Sequence, residues 1–127
     1  MVVNLCSFIA SLNHSLLTGQ RLFTTRNTVM ARDFVLFLKA SGYILGFHVV
    51  DRQLYVYPNH LCVSFSGVKA VSTPSRPVFY GLHRVKRDLK SGHNYILHFN
   101  GVFRDSHTCM IENTGGQVIA KIFLLFL

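Results

Sequence analysis

Leu5, Phe8, Ile9, Leu12 and Leu16 recur at steps of three and four, the spacing that lines one face of an α-helix. They predict a first helix over residues 5–17, closed by Thr18-Gly19-Gln20. Residues 21–26 read as extended. Thr28 then offers a hydroxyl to cap a second helix whose inward positions are Met30, Phe34, Phe37 and Leu38. Ser41-Gly42 ends it, because glycine enters the left-handed conformation without a Cβ clash. From there the hydrophobic pattern becomes extended. Residues 43–50, 53–57 and 60–65 form three runs parted by Asp51-Arg52 and Pro58-Asn59, which predicts an antiparallel meander.

Residues 69–71 make a last strand or a connector. Pro74-Ser75-Arg76-Pro77 bars both regular helix and central strand, and is expected to be the hinge between two lobes, 1–72 and 73–127. Beyond it, residues 95–99 are extended and Asn100-Gly101 is a turn. Asp105 or Ser106 caps one short helix over 105–111, and Thr114-Gly115-Gly116 leads into a final strand over 117–125. The expected fold class is α+β with two small packed lobes: an N-terminal α-β-α-β-β lobe and a mainly β C-terminal lobe with one short helix.

Charge changes this picture. Lys and Arg number 13 against 5 Asp and Glu, a formal net charge of +8, although half the residues are hydrophobic. A basic chain with a full core calls for an anionic partner: nucleic acid, an anionic membrane surface or an acidic protein. The cations gather in the second half, where Arg84, Lys86, Arg87 and Lys90 stand against Asp88 alone.

Other chemistry is sparse. Cys6, Cys62 and Cys109 lie far apart with no CxxC pair, and the seven His residues show no HExxH spacing, so neither a metal nor another cofactor is expected. Ser75, Ser106 and His107 lack a GxSxG elbow and an ordered acid partner, and five acidic residues leave little for paired-carboxylate or magnesium chemistry. Asp105 with His107 reads better as a capping turn. The chain is therefore not expected to be an enzyme.

Residues 2–17 are apolar but lack a basic leading region, and residues 118–127 fall short of the roughly 20 that span a bilayer. For a protein acting inside an organelle, a missing presequence implies removal by processing or synthesis in place.

Four blocks carry a family resemblance. Residues 5–13 occupy the place of an opening helix, and Leu38-Lys39-Ala40-Ser41-Gly42-Tyr43-Ile44 is similar to an LKxEGYI signature. Val68 and Val71 ahead of Ser75-Arg76-Pro77 resemble IxxIxxxSRP. Gly101-Val102, followed after one short helix by Gly115-Gly116-Gln117-Val118-Ile119, resembles KGVMTDREAR and GGE segments. Together they resemble the universal small-subunit ribosomal protein eight family, whose members bind the central domain of small-subunit rRNA. The resemblance implies a structural constituent of the small subunit, with rRNA and neighbouring ribosomal proteins as partners. It implies no small-molecule substrate and no membrane insertion.

Resemblance and charge together nominate the rRNA contacts: Arg26, Thr28, Ser75, Arg76, Arg84, Lys86, Arg87, His98, Phe99, Asn100, Gly101, Arg104, Thr114, Gly115 and Gly116. Cations neutralise phosphate and release counterions. Phe99 can stack on a base, and Gly115 and Gly116 are expected to let the backbone approach RNA. The departures are informative too. Where the family has Ser-Thr-Ser before a Lys-Gly turn, this chain has Leu97-His98-Phe99-Asn100-Gly101, and Val29 and Ala31 stand where lysine is usual. Such erosion, with so many Phe and Leu residues, resembles a divergent mitochondrial member and places the protein in the mitochondrial matrix.

A competing expectation is a basic membrane-associated or protein-assembly module that uses Phe123, Leu124, Phe126 and Leu127. Membrane binding predicts one strongly amphipathic basic helix. The cations are expected instead on loops and across the second lobe.

Overall fold

Phe8 organises the first half of the chain. In the computed structural model, which describes residues 5–60 and 67–123, its ring meets Phe23 edge-on at 5.6 Å and Phe34 at 5.2 Å. Phe8, Ile9 and Leu12 come from α1 (Cys6–Thr18), and Ala31, Phe34, Val35 and Leu38 from α2 (Val29–Ala40); all are buried. The Thr28 hydroxyl accepts the Ala31 N–H at 3.1 Å, as its capping role requires. Replacing it (Thr28→Ala) should cost about 1 kcal/mol, read in equilibrium denaturation. At the other end of α2, Gly42 has φ +83° and the Tyr43 N–H reaches the Leu38 carbonyl at 3.0 Å, closing the last turn.

The helices are joined by a three-stranded antiparallel sheet ordered β1 (Phe23–Arg26), β3 (Gln53–Pro58), β2 (Ile44–Val50). The pattern of burial follows the register. Phe23 faces Val56 and Thr25 faces Leu54 on the core side, so their neighbours Thr24, Arg26 and Tyr55 lie on the other. The sheet is not the expected simple meander, because β1 returns to flank β3. The third expected run, residues 60–65, falls outside the described residues except for His60, which lies in a turn.

The chain divides into two compact units, Leu5–Gly67 and Val68–Phe123. The seam precedes the Pro-Ser-Arg-Pro segment, which corrects its expected role as a hinge. The physical reason is hydrogen bonding: β4 (Gly67–Ala70) pairs with β8 (Gly116–Phe123), and the Val71 N–H donates to the Ile119 carbonyl at 3.0 Å. Thr73-Pro74-Ser75-Arg76 is then a β-turn inside the second unit, with the Arg76 N–H on the Thr73 carbonyl at 3.1 Å and proline at its second position. Buried Ser72 fastens both ends of this loop. Its hydroxyl donates to the Val118 carbonyl and accepts the Val78 N–H at 3.0 Å.

The second unit is built on the order β4-β8-β6-β7, with β6 (Asn94–Phe99), β7 (Val102–Asp105) and the two-residue β5 (Phe79–Tyr80) paired to β8. It carries two helices, α3 (Leu82–Lys90) and α4 (Ser106–Glu112), where one was expected. Asp105 caps α4 by accepting the Thr108 N–H at 2.7 Å. β6 and α4 are locked reciprocally: Ser106 Oγ accepts the Tyr95 N–H at 2.9 Å, and Asn94 Oδ1 accepts the Ser106 N–H at 3.2 Å. Val85, Tyr95, Leu97, Cys109 and Val118 form the core beneath the helices. The fold class is thus α+β, with four helices among the described residues and two antiparallel sheets.

Candidate nucleic-acid interface

The hairpin of β6 and β7 is the rigid part of the site. Asn100 and Gly101 both take positive φ, +51° and +75°, between the paired residues Phe99 and Val102. This two-residue turn matches the right-handed twist of its strands. Arg104 braces it, donating from a guanidinium NH₂ group to the Phe99 carbonyl at 2.9 Å and pairing with Glu112 of α4. Its charge is therefore committed within the protein.

Gly115 and Gly116 stand beside this hairpin, crowded by the protein's own backbone. A Cβ on Gly115 would lie 2.3 Å from the Tyr80 carbonyl oxygen, and one on Gly116 would lie 2.8 Å from the His98 carbonyl oxygen. The missing side chains make room for the protein's own backbone, which brings β5 and the hairpin up against β8. Between them opens a cleft of about 650 Å³. Its walls include His98, Phe99, Asn100, Gly101, Gly115 and Gly116, all nominated from sequence, together with Phe79, Tyr80, Gly81 and Gln117, which were not. Phe79 and Phe99 are both exposed, at 62% and 42%. Thr114, half-buried just ahead of the glycines, turns inward with its N–H on the Cys109 carbonyl at 3.0 Å.

The basic residues expected on loops lie instead on α3. Leu82, Val85 and Leu89 face inward, while His83, Arg84, Lys86, Arg87 and Lys90 are exposed on the same helix. Gly81 caps α3 without a side-chain hydrogen bond, so the first-turn N–H groups receive none from their cap residue. Arg84 joins this cationic surface to the cleft: its guanidinium carbon sits 4.0 Å from the centre of the Tyr80 ring.

Asp88 balances the helix from within. Burial pushes its carboxyl up, but the Tyr95 hydrogen bond and the guanidinium groups of Arg87 and Arg84 outweigh that and hold it below the usual range. Tyr95 donates to Asp88 Oδ2 at 2.8 Å, and burial first, then that bond, pushes its hydroxyl up to about 12. For an acid with a raised folded value, stability is complete below the unfolded pKa of about 10 and is lost as pH rises through the folded one. A tyrosinate absorbance titration should therefore show one hydroxyl ionising near pH 12. That step should vanish in Tyr95→Phe. Burial likewise pushes the Cys109 thiol up.

The remaining nominated residues do not line the cleft. Ser75 and Arg76 are exposed on the Thr73–Arg76 turn, Arg26 is exposed on β1, and Thr28 is occupied as the α2 cap. Phe79 to Gly81 escaped the sequence reading because a two-residue strand has no period, though the aromatic pair ahead of a cationic run was a signal. Among the described residues no cluster of His, Cys, Asp or Glu is arranged to hold a metal ion.

A cationic helix thus stands beside an aromatic-walled cleft on a basic α+β frame. The family model for ribosomal protein S8 matches residues 5–123, and the chain belongs to that family. It is 27% identical over 96 residues to the small ribosomal subunit protein uS8 of Desulfovibrio desulfuricans, covering 74% of this chain and 76% of that one. The family is one of structural ribosomal proteins of the small subunit, not of enzymes.

Proposed function

We propose that this protein binds and organises the central domain of small-subunit rRNA, as a constituent of the mitochondrial small ribosomal subunit beside neighbouring ribosomal proteins. The observation that carries the reading is the junction at Tyr80, where the Arg84 guanidinium covers a ring that also walls the cleft. Phosphates are met by the outer face of α3 and its first-turn N–H groups. An unpaired base enters the cleft against Phe99, with Asn100 and the backbone of Gly101 at its lip. Exposed Arg76 and Arg26 add phosphate contacts, and Ser75 an adjacent hydroxyl. Thr28, Arg104 and Thr114 act indirectly, by holding the elements that present the others.

The membrane alternative meets a physical obstacle. α3 is basic and amphipathic, as that alternative requires, but its apolar face is spent: Val85 is fully buried with Tyr95, Leu97, Cys109 and Val118. No helix among the described residues is long and apolar enough to cross a membrane. Phe123 is partly exposed under the Lys121 ammonium, and residues 124–127 of the apolar tail lie outside the described residues.

The mitochondrial assignment rests on the rewritten Leu97 to Gly101 segment and the enrichment in Phe and Leu. Sedimentation tests both parts. The protein should travel with the small subunit in mitochondrial extracts, and purified protein should bind a central-domain rRNA hairpin with affinity that falls steeply as salt rises. Equal binding to anionic liposomes, with no preference for RNA, would sink the reading.

A further inference from the structure

The outer face of the N-terminal sheet carries an aromatic cluster that neither the cleft nor the core uses. His48 of β2 stacks on Tyr55 of β3 with ring centres 5.0 Å apart and planes 11° from parallel. Tyr57, two residues along the same strand, lies 5.6 Å from the His48 ring, and its hydroxyl meets His48 Nδ1 at 3.1 Å. Cross-strand pairing fixes the side: Tyr55 and Tyr57 alternate with the buried Leu54 and Val56, and so face away from the helices.

Three further features make this face a receptor. Gly46 is the register partner of Tyr57, and among the described residues nothing stands within 4 Å of where its Cβ would be, so they leave the sheet open beside that ring. Arg26 lies on the same face as the register partner of Gln53, two residues along β3 from Tyr55, and exposed Arg52 occupies the adjoining β2–β3 turn beside Asp51. The tilted His48 contact and the hydrogen bond hold the Tyr57 ring in place, half-exposed on the sheet. Flat rings with cations at one end fit a chain of unstacked bases and phosphates, and exposed Val50 on the same face adds apolar surface beside them.

We infer that the His48-Tyr55-Tyr57 face binds single-stranded RNA by base stacking, with Arg26 and Arg52 taking the phosphates. It is a second RNA surface, on a different unit from the cleft, and rests on the RNA reading above only for the class of polymer. Recognition is by stacking, so it tolerates any base sequence and requires unpaired bases.

The full-length chain is titrated with a fluorescent oligoadenylate and, separately, with the central-domain rRNA hairpin. Tyr55→Ala and Tyr57→Ala should each weaken oligoadenylate binding about tenfold, leaving hairpin affinity unchanged. Tyr55→Phe and Tyr57→Phe should retain the wild-type affinity, because the ring and not the hydroxyl does the stacking. Unchanged oligoadenylate affinity in the alanine variants overturns the inference. So does wild-type protein that ignores oligoadenylate while binding the hairpin, the result expected if this face meets a protein instead. If the hairpin alone is ignored, the cleft reading fails and this one stands. Should the alanine variants misfold, photocrosslinking of wild-type protein to oligo(4-thiouridine) decides: adducts must map to the peptides holding His48, Tyr55 or Tyr57, and their absence there rejects the surface.

Discussion

Replacing Gly115 with alanine should destabilise the second unit by about 3 kcal/mol, near the upper end of the usual cost of overpacking. The added Cβ would lie 2.3 Å from the Tyr80 carbonyl oxygen and 2.9 Å from the Gly81 Cα, both backbone atoms that no rotamer change can move. Relief requires β5 to part from β8 or the start of α3 to shift. Either loosens the Arg84 contact on Tyr80 as well. Calorimetry should show the melting temperature of this unit falling by roughly 10 °C or more. Gly46→Ala is the control, since among the described residues its Cβ meets nothing within 4 Å and its φ is not in the left-handed region. It should stay within about 0.5 kcal/mol of the parent. A Gly115→Ala protein as stable as that control would show that the glycine pair is not the reason β5 and β8 can meet.

This prediction also marks where sequence reasoning reached its limit. Gly115-Gly116 was visible as a motif, but its cause was not, because the atoms that crowd it belong to residues 80–81 and 98–99. α1 and α2 were legible because their apolar stripes and end signals are local: the period of Phe8, Ile9 and Leu12, the Thr28 hydroxyl, and Gly42. α3 was not. Three inward positions, Leu82, Val85 and Leu89, sit among His83 and four cations, and nine residues are too few to hold a helix without tertiary contacts. Its helicity is supplied by the surface beneath Val85, made of residues from β6, α4 and β8. The Pro-Ser-Arg-Pro segment failed in the opposite sense. Its local chemistry correctly excluded helix and central strand, but whether such a loop joins two units or folds inside one depends on the pairing of β4 with β8, which no local pattern contains. The cleft followed the same division: its hairpin half could be read from Asn100-Gly101, and its Phe79 to Gly81 half could not.

A triple variant, Lys86→Ala with Arg87→Ala and Lys90→Ala, should weaken binding to the central-domain rRNA hairpin about a hundredfold at low salt, at about 1 kcal/mol for each phosphate contact removed. These positions are chosen because they unload the outer face of α3 and leave its inner one intact. Val85 remains buried, and Arg84 keeps both its place over Tyr80 and its 3.7 Å approach to Asp88. Arg87 also lies 3.5 Å from Asp88, but its side chain is 63% exposed, so solvent screens that pair and its loss costs little stability. Helix propensity moves slightly in favour of the variant, since alanine is the best helix former. Folding and binding therefore separate cleanly: the melting temperature should hold while affinity falls. The salt dependence supplies the sharper readout. Each phosphate contact on a duplex contributes about 0.9 to the slope of log affinity against log salt, so three lost contacts flatten it by about 2.7. A large loss of affinity with an unchanged slope would mean that these cations shape the cleft without touching phosphate. No loss at all would move the electrostatic footprint off α3 altogether, to Arg76 or to the Arg26 side of the N-terminal sheet.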